Sequence, residues 1–149
     1  MRPSPRGYLQ SIEITQSPAR VFKACTEPLL LTRWYAAEAS VEPRLGGRHC
    51  VRLKDGRQRD ATIDVWEPGR RLRLIYMPDV EAPFIGGPLV EDFVFDVKAP
   101  GTVVRVLGSG VPGDRDWDTE FTRLRRAWAY WLDALKRLLE NPPTPPVPR

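Results

Sequence analysis

One stretch limits the fold more than any other. From Asp116 to Glu140, apolar residues fall at Phe121, Leu124, Trp128, Trp131/Leu132, Leu135 and Leu138/Leu139, with arginines on the opposite side. This is the repeat of one face of a long amphipathic helix, and such a face has to be buried. The segments before it read as strands. "GYLQSIEIT" (7–15), "GRHCVRL" (47–53), "RDATIDVWEP" (59–68) and "RRLRLIYM" (70–77) alternate, and "AEASVEP" (37–43) does so weakly. "LVEDFVFDV" (89–97) and "TVVRVLGSG" (102–110) form a hairpin around "KAPG" (98–101). Two short helices follow the first strand. "SPARVFKACT" offers Ser17 as N-cap and Pro18 as first helical residue, and "EPLLLTRWY" restarts at Pro28 and ends at Trp34–Tyr35.

Strand parity then assigns the faces. One face carries His49, Val51 and Leu53; Ala61, Ile63 and Val65; Leu72, Leu74 and Tyr76; Phe93, Phe95 and Val97; Val104 and Val106. The other carries Arg48, Arg52, Asp64, Arg71, Arg73, Asp92, Asp96 and Arg105. An antiparallel meander sets Arg71 and Arg73 between Asp64 and Asp92/Asp96, with Arg105 next, a ladder of cross-strand ion pairs. By strict alternation Trp66 falls on this outer face.

The ladder bears on partners. A net charge of +4 raises nucleic acid, but no basic block exceeds three residues and the arginines interleave with apolar positions. The reading is no nucleic acid. No run of 18 apolar residues occurs and "MRPSPRGYLQ" has no apolar core, so neither a membrane span nor secretion is expected. Cys25 and Cys50 lack CxxC spacing and the chain has one histidine, which suggests a reduced, cytoplasmic protein with neither metal nor cofactor. The expected organisation is an arm over 1–6, one domain over 7–141 and a proline-rich tail over 142–149. In "PDVEAPFIGGP" (78–88), Phe84 and Ile85 sit in a loop that either gates a cavity or merely connects two strands.

"RLGGRH" (44–49) looks most like a site. A phosphate cradle requires the glycines to lead into a helix N-terminus, and here they lead into a strand. Gly46–Gly47 therefore read as a turn into the sheet, through positive φ or close packing. His49, on the inner face, is a hydrogen-bonded wall residue or a ligand anchor or base. Glu91 shares the parity of Phe93 and Phe95. At the start of its strand it reads as a rim residue that solvent reaches; inside an apolar cavity its pKa would rise. His49 and Glu91 form an acid/base pair only if their ends of the sheet converge. No nucleophile–base–orienter set, metal-ligand cluster or nucleotide-binding loop appears, and no catalytic residue is assigned.

Strand, two short helices, meander and long C-terminal helix form the helix-grip order. The pieces "SPARVFKACTEPLLLTRWY" (17–35), "RLGGRH" (44–49), "ATIDVWEPGRRLRLIY" (61–76), "EDFVFDV…GTVVRVLGSG" (91–110) and "RRAWAYWLDALKRLLE" (125–140) resemble the Hsp90-ATPase-activator-homologue-1-like branch of the START/Bet v 1-like superfamily. The resemblance implies an α+β helix-grip fold, a curved antiparallel sheet around a long C-terminal helix with a cavity between them. With the parity reading it implies binding of a small hydrophobic or amphipathic molecule, lipid included, by Trp34, Tyr35, His49, Val51, Ile63, Leu74, Tyr76, Glu91, Phe93, Phe95, Phe121, Leu124, Trp128 and Trp131. The alternatives it leaves open are a cyclase or hydrolase acting on a polyketide-like or aromatic compound, and an Hsp90-type chaperone cofactor. A homodimer and a chaperone partner stay open with them.

Overall fold

Seven strands form one antiparallel sheet in the order β1-β7-β6-β5-β4-β3-β2. The computed structural model describes residues 4–76 and 89–141. In chain order the strands are β1 (Arg6–Ile14), β2 (Glu38–Val41), β3 (Arg48–Arg52), β4 (Gln58–Glu67), β5 (Arg71–Tyr76), β6 (Leu89–Lys98) and β7 (Gly101–Val111). Helices α1 (Pro18–Thr26) and α2 (Pro28–Trp34) carry the chain from one sheet edge to the other. A 3₁₀ turn at Arg115–Trp117 leads into α3 (Asp118–Glu140), which packs against β1 and α2. This is the α+β helix-grip architecture.

The helix signals act as the sequence suggests. Ser17 Oγ accepts from the Arg20 N–H at 3.3 Å and Pro18 opens α1. Glu27 joins the two short helices: its N–H donates to the Lys23 carbonyl (2.8 Å) and its own carbonyl accepts from Leu31 (2.9 Å). Along α3, Leu124, Trp128, Leu132, Leu135 and Leu139 are buried, the single stripe that its periodicity required.

The outer face of the sheet holds the charge ladder. Arg71 and Arg73 both donate to Asp92, Arg73 reaches Asp64 at 3.3 Å, and Arg105 pairs with Asp96. Such half-exposed pairs add about 0.2–1 kcal/mol each and keep the face solvated. The ladder gives Arg71, Arg73 and Arg105 acidic partners within the sheet.

Strict alternation fails at two places. A β-bulge between Ile63 and Val65 puts an extra residue into β4, so Val65 lies opposite Arg73 and Trp66 opposite Leu72. Trp66 therefore turns inward, not outward, and meets the Phe22 ring edge-on at 5.1 Å. Val97, placed by parity on the inner face, is 78 % exposed. Strand β5 begins at Arg71, opposite Val94, so beyond Phe95 β6 pairs with β7 alone and runs out to the hairpin tip.

Both reasons for glycine operate in "RLGGRH". Gly46 has φ +80°, and a Cβ on Gly47 would collide with the Glu42 carbonyl. The turn is stitched to β4 by reciprocal bonds, Gly46 N–H to Ile63 O and Ile63 N–H to Gly47 O, each 2.8 Å. Arg6 opens β1 and is tied to Pro112 O (2.9 Å) and Asp118 (2.6 Å). Residues 1–3, the loop with Phe84 and Ile85, and the tail over 142–149 lie outside the described residues. No helix among the described residues is long and apolar enough to cross a membrane.

Candidate functional site

A single row of residues crosses the sheet beneath α3. Tyr8 on β1 is paired with Gly108 on β7, Gly108 with Glu91 on β6, and Glu91 with Leu74 on β5. The Tyr8 ring lies across Gly108, occupying the space where a Cβ would stand. Only a glycine there lets the tyrosine pass over β7, and its hydroxyl donates to Glu91 Oε2 at 2.7 Å.

Glu91 is the centre of the row. It is fully buried (0 % exposed), not a rim residue as its place near the strand start suggested. Tyr76 donates to Oε1 at 2.8 Å and the Trp128 indole N–H to Oε2 at 2.7 Å. Arg59 reaches in from β4 and grips both oxygens, Nη1 to Oε1 at 3.1 Å and Nη2 to Oε2 at 2.8 Å. Burial alone would push the carboxyl up, as expected for an apolar cavity. The Arg59 charge and the surrounding donors outweigh it, and Glu91 is held below the ordinary carboxylate range. The group is therefore ionised at neutral pH, the reverse of the raised value expected without a partner. Burial, aided by the Glu91 charge, raises Tyr8, burial raises Tyr76, and burial pushes Tyr35 up to about 12. All three phenols stay neutral; Tyr8 and Tyr76 donate to Glu91, and the Tyr35 hydroxyl accepts from Arg59.

Aromatic rings enclose the ion pair. The Arg59 guanidinium lies 4.4 Å from the Tyr76 ring centre and 5.8 Å from that of Trp131. Tyr35 stacks on Trp34 and Trp128, and Trp131 meets Tyr35 and Trp128 edge-on at 4.7 and 5.0 Å. Phe93 closes on Trp128 from the sheet at 5.3 Å. Tyr35, Tyr76, Glu91, Phe93, Trp128 and Trp131 thus come together as one cluster. Phe121 stands at its edge, 6.4 Å from Tyr8. The other residues singled out from the sequence lie around it. Val51, Ile63, Leu74 and Leu124 are buried core, and Phe95 packs on Phe22 away from the ion pair. The Trp34 indole is tied to the Ala24 carbonyl at 2.8 Å.

His49 is buried and bonded through Nε2 to the Cys25 carbonyl at 3.0 Å. That bond fixes the Nε2–H tautomer, and burial lowers the pKa, so the ring is neutral. Its Nδ1 has no partner among the described residues. His49 and Glu91 are bonded to different groups and form no acid/base pair. Cys25 is buried too, and burial raises its thiol to about 12. No cluster of metal-ligating side chains occurs among the described residues.

Two members of the cluster were not singled out from the sequence. Arg59 has the parity of Ala61 and Ile63, and Tyr8 that of Ile12 and Ile14. Alternation pointed both inward. Its signal was masked by the charge of one and by the position of the other on an edge strand.

Residues 15–140 match the family described as Activator of Hsp90 ATPase homolog 1-like protein. The chain belongs to this family. Solved structures with the same fold include protein MLL2253 from Mesorhizobium loti, at 21% identity and TM-score 0.81, covering 93% of this chain and 100% of that one. The Aha1 dimer from Colwellia psychrerythraea follows at 19% identity and TM-score 0.77, covering 91% and 97%. DynU16, a protein in the dynemicin biosynthetic locus, has 22% identity and TM-score 0.75, covering 91% of this chain and 47% of its own. No curated protein matches the chain. At these identities the likeness establishes that this chain shares the neighbours' fold, and its function has to be argued from its own side chains.

Proposed function

We propose that this chain binds a small apolar or amphipathic molecule between its sheet and α3 and holds it without transforming it. The observation that carries the reading is the convergence of Tyr35, Tyr76, Trp128 and Trp131 on the Arg59–Glu91 pair. Rings supply apolar area and the few polar groups among them fix orientation, which is the composition of a small-molecule site. The proposed wall extends to Trp34, His49, Val51, Ile63, Leu74, Glu91, Phe93, Phe121 and Leu124, while Phe95, packed on Phe22, stands apart from it. Holding is favoured over catalysis because Glu91 is ionised and bonded on both oxygens, with no proton to give. The place of DynU16 in a biosynthetic locus supports a small-molecule ligand. The dimeric Colwellia neighbour supports a homodimer as part of the same proposal.

Titration with apolar aromatic and acyl compounds tests the role. A true ligand quenches tryptophan emission, since Trp128 and Trp131 belong to the wall. At a hundredfold excess over Kd it stabilises the fold by about 2.7 kcal/mol, raising Tm by roughly 5–10 °C for a domain of this size. A panel that produces neither change counts against the proposal.

A further inference from the structure

One flank of α3 is left open to solvent. Tyr130, Ala134, Leu138 and Asn141 recur at three- and four-residue spacing and so form one stripe of the helix. They line a groove of about 300 Å³, to which α2 contributes Arg33. A second groove, of about 680 Å³, continues the stripe from Tyr130 past Arg126 to Thr122. Tyr130, shared by both, is 70 % exposed. Most charges on this flank are answered: Asp133 pairs with Arg137, Asp118 with Arg6 and Arg123 with Glu120. Arg33 and Arg126 have no ion-pair or hydrogen-bond partner among the described residues. The stripe thus offers an open ring, apolar side chains and two unused guanidinium groups.

The sequence that follows α3 has the complementary chemistry. Residues 142–149 read "PPTPPVPR", and five of the eight are proline. Proline has no N–H and a proline-rich strand forms no internal hydrogen bonds, so its carbonyls are acceptors in want of donors. Such strands seat on aromatic rings, and their preset extended form reduces the entropy lost on docking. Asn141, the first residue beyond α3, lines the nearer groove, so the segment starts at its mouth. The reach fits as well. From Asn141 back to Tyr130 is about 16 Å at about 1.5 Å per helical residue, which five or six extended residues span at about 3.1 Å each. Pro146 and Val147 then meet Tyr130, and Arg149, the single charged side chain, comes after them. An acidic partner would also answer Arg33 and Arg126, but a segment tethered at the groove competes at millimolar effective concentration. We propose that residues 142–149 of this chain fold back along α3 and dock on Tyr130, with Arg33 and Arg126 donating to their carbonyls. This docking is independent of the binding role proposed above.

Nuclear magnetic resonance on the full chain tests it. Docked, the Tyr130 ring shows Overhauser contacts to proline δ protons of residues 145–148, and the Thr144 and Val147 amides have order parameters near about 0.8, as in rigid backbone. Tyr130→Ser changes an exposed position, so the rest of the spectrum should stay in place while both order parameters drop below about 0.6. Values below about 0.6 in the native chain, with no contact to Tyr130, overturn the proposal. Order parameters that stay high in Tyr130→Ser overturn the assignment to this groove. Contacts that pass only between labelled and unlabelled chains in a mixture seat the segment on a second copy and overturn docking within one chain.

Discussion

Replacing Glu91 by leucine will destabilise the fold by about 3–5 kcal/mol, the cost of breaking a buried ion pair by removing one partner. The change leaves the Arg59 charge unpaired in the interior and takes the acceptor from Tyr8, Tyr76 and Trp128 at once. Arg59→Met should behave differently. Glu91 keeps its three neutral donors but loses the cation that overcomes burial, so its pKa moves from depressed to raised. In the wild type the depressed value means that Glu91 contributes fully above its ordinary value of 4.5, and the contribution drains away as pH falls through the folded value. Asp92, lowered by its arginines against the opposing effect of burial, is lost over the same acid range. In Arg59→Met the Glu91 contribution has the opposite sign, present at low pH and lost as pH rises through the raised value. The gap between wild type and Arg59→Met should therefore narrow between pH 7 and pH 4, measured by urea unfolding at each. A gap independent of pH would mean that Arg59 does not hold Glu91 ionised.

Trp128→Ala should cost about 3–5 kcal/mol. The side chain is 1 % exposed and touches Tyr35, Phe93 and Trp131, so its removal opens a cavity between sheet and helix that stiff rings cannot refill. Trp128→Phe separates packing from the hydrogen bond. It keeps a ring and removes the indole N–H, and Glu91 retains Arg59, Tyr8 and Tyr76, so about 1–2 kcal/mol is expected. Equal losses for the two variants would place the energy in the N–H and not in the packing.

What could be read from the sequence depended on whether local rules held through each strand. The charge ladder of Arg71, Arg73 and Arg105 against Asp64, Asp92 and Asp96 was legible, because parity and a meander fix which residues meet across strands. So was α3, whose stripe is long enough to be unambiguous. Trp66 was misplaced because a bulge one turn of the pleat earlier reverses parity, and nothing in "RDATIDVWEP" announces it. Glu91 reads as a rim residue from its place at the start of its strand; its burial depends on Arg59, distant in sequence and brought close only by the β4–β5–β6 pairing. Composition favours solvent for each of the two alone, and the fold removes both together. His49 is buried on the face that its parity implied, with its bond to the Cys25 carbonyl supplied by α1.

The proposed binding role places a small molecule between sheet and α3. Native mass spectrometry on protein purified gently, without denaturant or extraction, tests this most directly. The expected result is a chain mass, single or doubled, carrying an added small-molecule mass that mild activation releases, and identifying that mass would give the ligand. Bare protein in every preparation, including after incubation with an organic extract of the producing cells, would contradict it.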